Sequence, residues 1–178
     1  GDDIAKELEK LQDKLPAFKS SDAKNILLKE LGKENFEKIT NISEPIAAAS
    51  IAQVHFAKIS LNGQTKDVAI KILRPSIKKI FNEEIDALML LAHITEKFVS
   101  KTKRLRLIEV VHLLREITNL EMDLRFEAAA ANELYENTKN DIGINVPEMY
   151  WNFTSTNVLT LDKIEGISIR ENEQLKKN

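Results

Sequence analysis

The residues best suited to chemistry in this chain are one lysine, one glutamate and a run of small residues. Lys71 closes the segment 68–71, whose alternating pattern predicts a β-strand. The alanine-rich residues 47–50 lie upstream, and Glu127 lies downstream in a segment of helical periodicity. A strand lysine that faces a loop of small residues can hold a nucleotide phosphate, and a helix carboxylate can fix that lysine. We therefore predict a phosphate site built on a pair between Lys71 and Glu127.

The alanine-rich residues have the spacing of a loop that covers phosphates. Against the kinase pattern G-x-G-x-x-G-x-V, the three glycine positions hold Ala47, Ala49 and Ala52, and the valine position holds Val54. Alanine keeps most of the access of a glycine backbone to phosphates but loses its freedom to adopt positive φ. The alternative interpretation is that alanine and serine simply pack a tight hairpin.

Two acidic residues, Asp123 and Glu127, lie four positions apart in a predicted long helix. Like charges at this spacing destabilise an isolated helix slightly, so a nearby cation is expected, and the strand lysine is the obvious candidate. The alanines at 129–131 would let another element approach closely. The alternative is a solvated acidic face, in which Glu121 and Arg125 form an ordinary pair along the helix.

The elements that must position these residues follow the order helices, two strands, two helices, two strands. Apolar spacing predicts helices over 3–14, 21–31, 77–99 and 107–137, and strands over 46–59, 66–73, 146–153 and 157–164. Asn62 and Gly63 predict a hairpin turn because both tolerate positive φ. We therefore predict an α+β fold in which long helices are inserted into an antiparallel sheet and a helical extension precedes it.

Alternation within the strands assigns side chains to faces. In the second strand Lys71 shares a face with Ala69 and Leu73, which are small or apolar. Trp151 and Phe153 alternate in the third predicted strand, so both are expected in the core.

Length and composition limit the classes of function. The chain has 178 residues, enough for one sizeable domain, with 43% hydrophobic and 30% charged residues, as in globular proteins. With a net charge of −2, bulk electrostatics favours neither nucleic acid nor acidic membranes as a partner. The absence of cysteine excludes disulfides and zinc–cysteine sites. We see no signal peptide and no apolar run near the ~18 residues of a spanning helix, so we expect this chain to be soluble.

Several motifs together carry a family resemblance. They are residues 45–55, residues 68–75, and Glu121-x-Asp123 followed by Glu127 and Ala128, with residues 11–16 as an additional match. The combination resembles the UbiB/ADCK family of atypical kinase-like proteins, which is linked to ubiquinone (coenzyme Q) biosynthesis. The resemblance implies a protein-kinase-like small lobe over 45–166, with a partial helical extension over 1–44. Residues 167–178 would begin the linker to a large lobe that this chain lacks.

The resemblance implies a role for each matched residue. The family's alanine-rich loop, linked to altered nucleotide preference and weak or absent protein-kinase activity, would be Ala47, Ala48, Ala49 and Ser50. Lys71 would contact the α- and β-phosphates and pair with Glu127. Glu121 and Asp123 would form the family's E-x-D pair, which faces a K-x-G-Q motif in the extension.

The resemblance also implies an adenine site. Val54 and Ala69 would roof the adenine, and the hinge between lobes would be lined by Leu161, Asp162 and Ile164.

The departures from the family pattern concern the two ends of the chain. The K-x-G-Q motif should lie just before Gly1, and the catalytic loop and metal-binding aspartate should follow Gly166. ATP or ADP with Mg²⁺ is therefore expected as the ligand of the full-length protein, with the metal ligands outside this chain. His55, His93 and His112 show no metal-ligand spacing, and catalysis by this chain alone is not expected.

Two classes of function remain open at this point. The first is the nucleotide-binding small lobe of a UbiB-type atypical kinase or ATPase that supports ubiquinone synthesis at the cytoplasmic face of a membrane. The second is a non-catalytic regulatory or scaffold module that binds a lipid intermediate or ubiquinone-biosynthesis proteins. A true protein kinase is a third reading, which the alanine loop disfavours. Apolar surface meant for the large lobe could drive self-association.

A basic run interrupts the two predicted long helices. Its cations either contact anionic lipid or form a solvated helix junction, and they are Lys101, Lys103, Arg104 and Arg106.

Overall fold

A computed structural model of the chain describes residues 16–167. In this part the α-helices are α1 (Ser20–Glu37), α2 (Ile77–Phe98), α3 (Leu107–Glu121) and α4 (Leu124–Thr138). The strands are β1 (Ile39–Thr40), β2 (Pro45–Ala48), β3 (Ala52–Leu61), β4 (Gln64–Leu73) and β5 (Val158–Asp162). The predicted α+β fold is confirmed. The predicted helix over 3–14 lies outside the described residues, and so does the linker expected over 167–178 except for its first residue.

The strands form one antiparallel sheet in the order β1-β3-β4-β5, with β2 also paired to β3. The hairpin of β3 and β4 forms the centre of this sheet. Asn62 and Gly63 form the turn of the hairpin, with φ of 52° and 78°. The hairpin predicted from these two residues is therefore confirmed. The register places Val54 beside Lys71 and Lys71 beside Leu159, so the three side chains share a face.

The opposite face of the sheet carries the main core. There α1 lies over the strands through Ala23 and Leu27, which are fully buried and one helical turn apart. The sheet and the segment before β5 supply the other buried side chains, which include Ile59, Val68, Ile70, Ile72, Phe153 and Val158. This packing fixes the helical extension to the sheet and leaves the face of Lys71 for other contacts.

The prediction of a single long helix over 107–137 is wrong. The structure divides it into α3 and α4 at Met122 and Asp123. Asp123 is the N-cap of α4, with an extended backbone and a carboxylate that accepts a hydrogen bond from the Arg125 amide. Aspartate is a favoured N-cap because it satisfies an amide that the first helical turn leaves free. The break redirects the chain so that α4 can pack on the sheet.

The prediction of a strand over 146–153 is also wrong. Only Met149 forms a bridge to β5, and the chain then turns into a short 3₁₀-helix, Trp151–Phe153. The Phe153 amide donates to the Tyr150 carbonyl, which curls the backbone away from the sheet. The two aromatic residues consequently separate, with Phe153 buried and Trp151 exposed.

Two predicted boundaries shift for local reasons. The strand expected over 46–59 splits into β2 and β3 around a turn at residues 49–51, where the Ala49 amide donates to the Ala52 carbonyl. The helix expected to end before Gly32 does break there, with φ of 74°, but helical turns resume and end at Glu37. Glycine permits this kink because positive φ carries no steric cost for it.

Helices α2 and α3 form an antiparallel arm that is inserted between β4 and α4. They meet through a small apolar cluster of Ile85, Ala92 and Val111, and Arg115 pairs with Asp86 at 2.6 Å. A 3₁₀-helix, Ser100–Leu105, closes the end of the arm.

Candidate functional site

The ion pair expected at the centre of the site is present. Lys71 Nζ lies 2.6 Å from Glu127 Oε2, although the two residues are 56 positions apart. The two side chains keep 28% and 49% of their exposure. A pair this exposed adds only about 0–1 kcal/mol to stability. Its geometry therefore depends on the elements that carry it.

Helix α4 brings Glu127 to the sheet through a short apolar contact. Leu124 and Ala128 are buried against Leu73 and Leu159, and Leu159 is the cross-strand neighbour of Lys71. The close approach depends on Ala128, which is fully buried, because a larger side chain would push the helix outward. The alanines at 129–131 were expected to serve this purpose, but only the last of them packs against the cluster.

Several of the other predicted site residues share the face of Lys71. Val54 is its direct neighbour on β3, and Ala69 and Leu161 are paired one step along the same face. Ala47 pairs with Val54 and so joins this face, whereas Ala48 pairs with Gln53 on the core side. Ala49 and Ser50 lie in the turn between β2 and β3.

Arg74 holds the alanine-rich turn in place, a role that the sequence analysis missed. Its Nε and Nη2 donate to the Ala49 carbonyl at 3.0 and 2.9 Å, and its Nη1 donates to the Pro16 carbonyl at 3.0 Å. The Arg74 amide also donates to the Ile51 carbonyl. The signal was its place directly after the strand of Lys71, from which a guanidinium can reach back to the turn. One side chain thus ties the turn, the end of β4 and the start of the described chain together.

The residues predicted to line the hinge divide between the two faces of the sheet. The Asp162 side chain points to the core face, where the Tyr150 hydroxyl donates to it at 2.5 Å. Burial, and then this hydrogen bond, raise the pKa of Tyr150. On the face of Lys71, Asp162 therefore presents its backbone and not its side chain.

A cavity of about 480 Å³ lies beside the residues predicted to line the hinge. The cavity is polar, and Ile164, the remaining residue predicted to line the hinge, contributes to it. It is lined by Tyr135, Asn145, Val146, Pro147, Glu148, Asp162, Lys163, Ile164 and Glu165. The Nζ atom of Lys163 also lies 4.7 Å from the centroid of the Phe56 ring, on the face of Lys71.

The E-x-D residues do not join the ion pair. Glu121 is the exposed last residue of α3, and Asp123 binds the Arg125 guanidinium through both oxygens, at 2.9 and 2.6 Å. This hydrogen bond holds the pKa of Asp123 below its usual range. The structure thus neutralises Glu127 with Lys71 but Asp123 with Arg125, not with Lys71 as expected. The motif that the pair would face in the extension lies outside the described residues.

Comparison with known proteins gives consistent matches along the whole chain. Residues 10–178 match the ABC1 atypical kinase-like domain. The chain is 39% identical over 177 residues to the probable protein kinase UbiB of Marinobacter nauticus. This match covers 99% of this chain and 32% of that protein. It is 36% identical over 170 residues to the probable protein kinase UbiB of Cellvibrio japonicus, covering 95% of this chain and 30% of the relative. The chain spans about a third of the length of these curated relatives.

Proposed function

The chain belongs to the ABC1 atypical kinase-like family, as its motifs predicted, and from this premise we propose that it forms the nucleotide-binding small lobe of a UbiB-type atypical kinase or ATPase. The longer protein would bind ATP or ADP with Mg²⁺ and support ubiquinone biosynthesis. The nucleotide would lie against the face of Lys71, and a large lobe would supply the metal ligands.

The observation that carries the proposal is the Lys71–Glu127 contact on an otherwise largely apolar face of the sheet. An ammonium held by one carboxylate keeps two further N–H donors for other acceptors, and phosphate oxygens are strong acceptors. Val54, Ala69 and Leu161 provide an apolar patch beside it, which suits a purine ring. The chemistry of this donor set therefore fits a nucleoside polyphosphate.

Calorimetric titration of a longer protein that contains this chain tests the proposal. MgATP and MgADP are expected to bind at one site, and a parallel assay of phosphate release separates an ATPase from a scaffold that only binds. Saturable binding without turnover would favour the regulatory module. The absence of saturable binding by either nucleotide would refute the nucleotide site.

A second feature, the end of the α2–α3 arm, supports the proposal that the protein docks on anionic membranes. We call residues 97–106 the arm tip; they contain five cations and no acid. Phe98 and Leu105 expose 73% and 52% of their surface there. Exposed apolar side chains within a basic cluster are typical of segments that lie in a lipid headgroup region. Among the helices of residues 16–167, none combines the length and apolarity needed to cross a bilayer.

Charge reversal at the arm tip tests this docking. Lys101→Glu with Lys103→Glu should reduce binding to phosphatidylglycerol-containing vesicles at least roughly 30-fold, since each lysine near an anionic surface contributes about 1 kcal/mol. Vesicle co-sedimentation measures the effect. Lys24→Glu with Lys29→Glu, two exposed lysines on α1, is the matched control and should bind nearly as wild type. Equal losses in both double variants would show a general charge effect and contradict docking by the tip.

A further inference from the structure

The two partners of the ion pair are held by one turn, residues 154–157, which we call the β5 turn. The Leu73 amide, two residues beyond Lys71 on β4, donates to the Asn157 carbonyl at 3.0 Å. The Leu124 amide, three residues before Glu127 at the start of α4, donates to the Thr156 carbonyl at 3.0 Å. Adjacent carbonyls of one turn thus fix the strand that carries the cation and the helix that carries the anion.

Glu30 of α1 anchors this turn. The Ser155 hydroxyl donates to Glu30 Oε2 at 2.8 Å, and Asn157 Nδ2 donates to Glu30 Oε1 at 2.7 Å. Both carboxylate oxygens are therefore used, by residues 125 and 127 positions away. Hydrogen bonds to an ionised acceptor are stronger than those between neutral groups. Glu30 lies three residues after the fully buried Leu27, so the packing of α1 aims it at the turn.

The far side of the β5 turn is fixed independently of Glu30. The Thr154 hydroxyl donates to the Tyr150 carbonyl at 3.0 Å and accepts from the Thr160 amide at 3.2 Å. The other end of the turn is held by Val158, which pairs with Ile72 of β4 and whose carbonyl accepts from the Ser155 amide at 2.7 Å. Between these two ends, the contacts of Ser155 and Asn157 with Glu30 restrain the turn from outside it. Their loss would loosen the Thr156 and Asn157 carbonyls, and with them the ends of α4 and β4.

We propose that Glu30 is a positioning residue that keeps Lys71 and Glu127 within contact distance. The inference rests on the proposed function in one respect, that this pair holds nucleotide phosphates. The half-exposed ion pair is too weak to impose its own geometry. The scaffold must therefore do so, and the contacts through the β5 turn make α1 part of that scaffold. A displacement of α1 would accordingly be transmitted to the site.

Hydrogen exchange of the full chain tests the inference without nucleotide. In Glu30→Gln and Glu30→Ala, the Leu73 and Leu124 amides should exchange roughly tenfold faster relative to amides in the middle of β3, because the turn that accepts them loses a charged anchor. Glu34→Gln is the matched control on the same helix, since Glu34 pairs only with the exposed Lys38 in the described structure. An equal acceleration of all amides, or none at Leu73 and Leu124, would overturn the inference.

Nucleotide affinity gives a second readout in a longer protein that contains this chain. Glu30→Gln should weaken MgADP binding roughly tenfold while Glu34→Gln leaves it unchanged. Selective exchange at Leu73 and Leu124 in a protein that binds no nucleotide would retain the positioning role and refute only the proposed function. Wild-type affinity in Glu30→Gln, together with unchanged exchange, would refute the positioning role alone.

Discussion

Replacing Lys71 by alanine is expected to weaken binding of MgATP and MgADP by roughly 100-fold, with little change in folding. The lost group would be a charge-assisted donor to phosphate, and hydrogen bonds to charged groups contribute about 1.5–3 kcal/mol each. The fold should persist because the Lys71–Glu127 pair is half exposed and adds little to stability. Calorimetry on a longer protein that contains this chain measures the affinity, and thermal unfolding measures the stability.

Lys58→Ala is the matched control for this variant. Lys58 also stands on the sheet and pairs with an acid, Asp67, at 2.8 Å. It is four residues from Val54 along β3, about 13 Å from the row of Lys71. Its removal should leave nucleotide affinity within about threefold of wild type, which is less than 1 kcal/mol. An unchanged affinity in Lys71→Ala, or an equal loss in Lys58→Ala, would contradict the role given to Lys71.

Phe153→Ala is expected to be the most destabilising single change in the described core, lowering the free energy of unfolding by about 3–5 kcal/mol. Phe153 is 1% exposed and is the largest of the fully buried side chains. It packs in the cluster that joins α1 to the sheet, and its carbonyl accepts the Thr160 hydroxyl at 2.7 Å. Truncation would leave a cavity between the helical extension and the strands. Urea denaturation followed by circular dichroism measures the change.

Trp151→Ala provides the comparison for Phe153, because the two aromatic residues lie in the same 3₁₀-helix. Trp151 is 47% exposed, so its truncation should cost about 1 kcal/mol or less. Similar losses for both variants would mean that the core does not close over Phe153 as described.

The parts of the fold set by local chemistry could be predicted from the sequence. The Asn62–Gly63 hairpin follows from two adjacent residues that accept positive φ. The face that Lys71 shares with Ala69 and Leu73 follows from the twofold alternation of a strand, whereas its cross-strand neighbours Val54 and Leu159 are known only from the register of the sheet. The contact with Glu127 required knowledge of the family motifs, since helical periodicity alone left a solvated acidic face equally open.

The errors come from contacts between distant segments. Apolar periodicity continues across Met122 and Asp123, so it does not reveal the end of α3. There the Leu124 amide donates to the Thr156 carbonyl instead of to a carbonyl of α3. Likewise, alternation in residues 146–153 predicts a strand. It does not reveal that the Phe153 amide and the Thr154 hydroxyl both donate to the Tyr150 carbonyl and turn the chain. The hydrogen bonds of Glu30 gave no sequence signal, because its partners are 125 and 127 positions away. The place of Arg74 directly after the strand of Lys71 was a signal, but it did not identify the acceptors, which are 25 and 58 positions away.

The most direct test of the central claim is affinity labelling with an acyl phosphate of ATP. An amine beside the bound phosphates attacks the acyl carbonyl, forms an amide and releases the nucleotide, and mass spectrometry then identifies the modified lysine. In a longer protein that contains this chain, we predict acylation of Lys71 that excess MgATP suppresses, with weak and unsuppressed labelling at Lys58. Labelling of Lys71 no stronger than that of Lys58, or unaffected by MgATP, would contradict a phosphate site at Lys71.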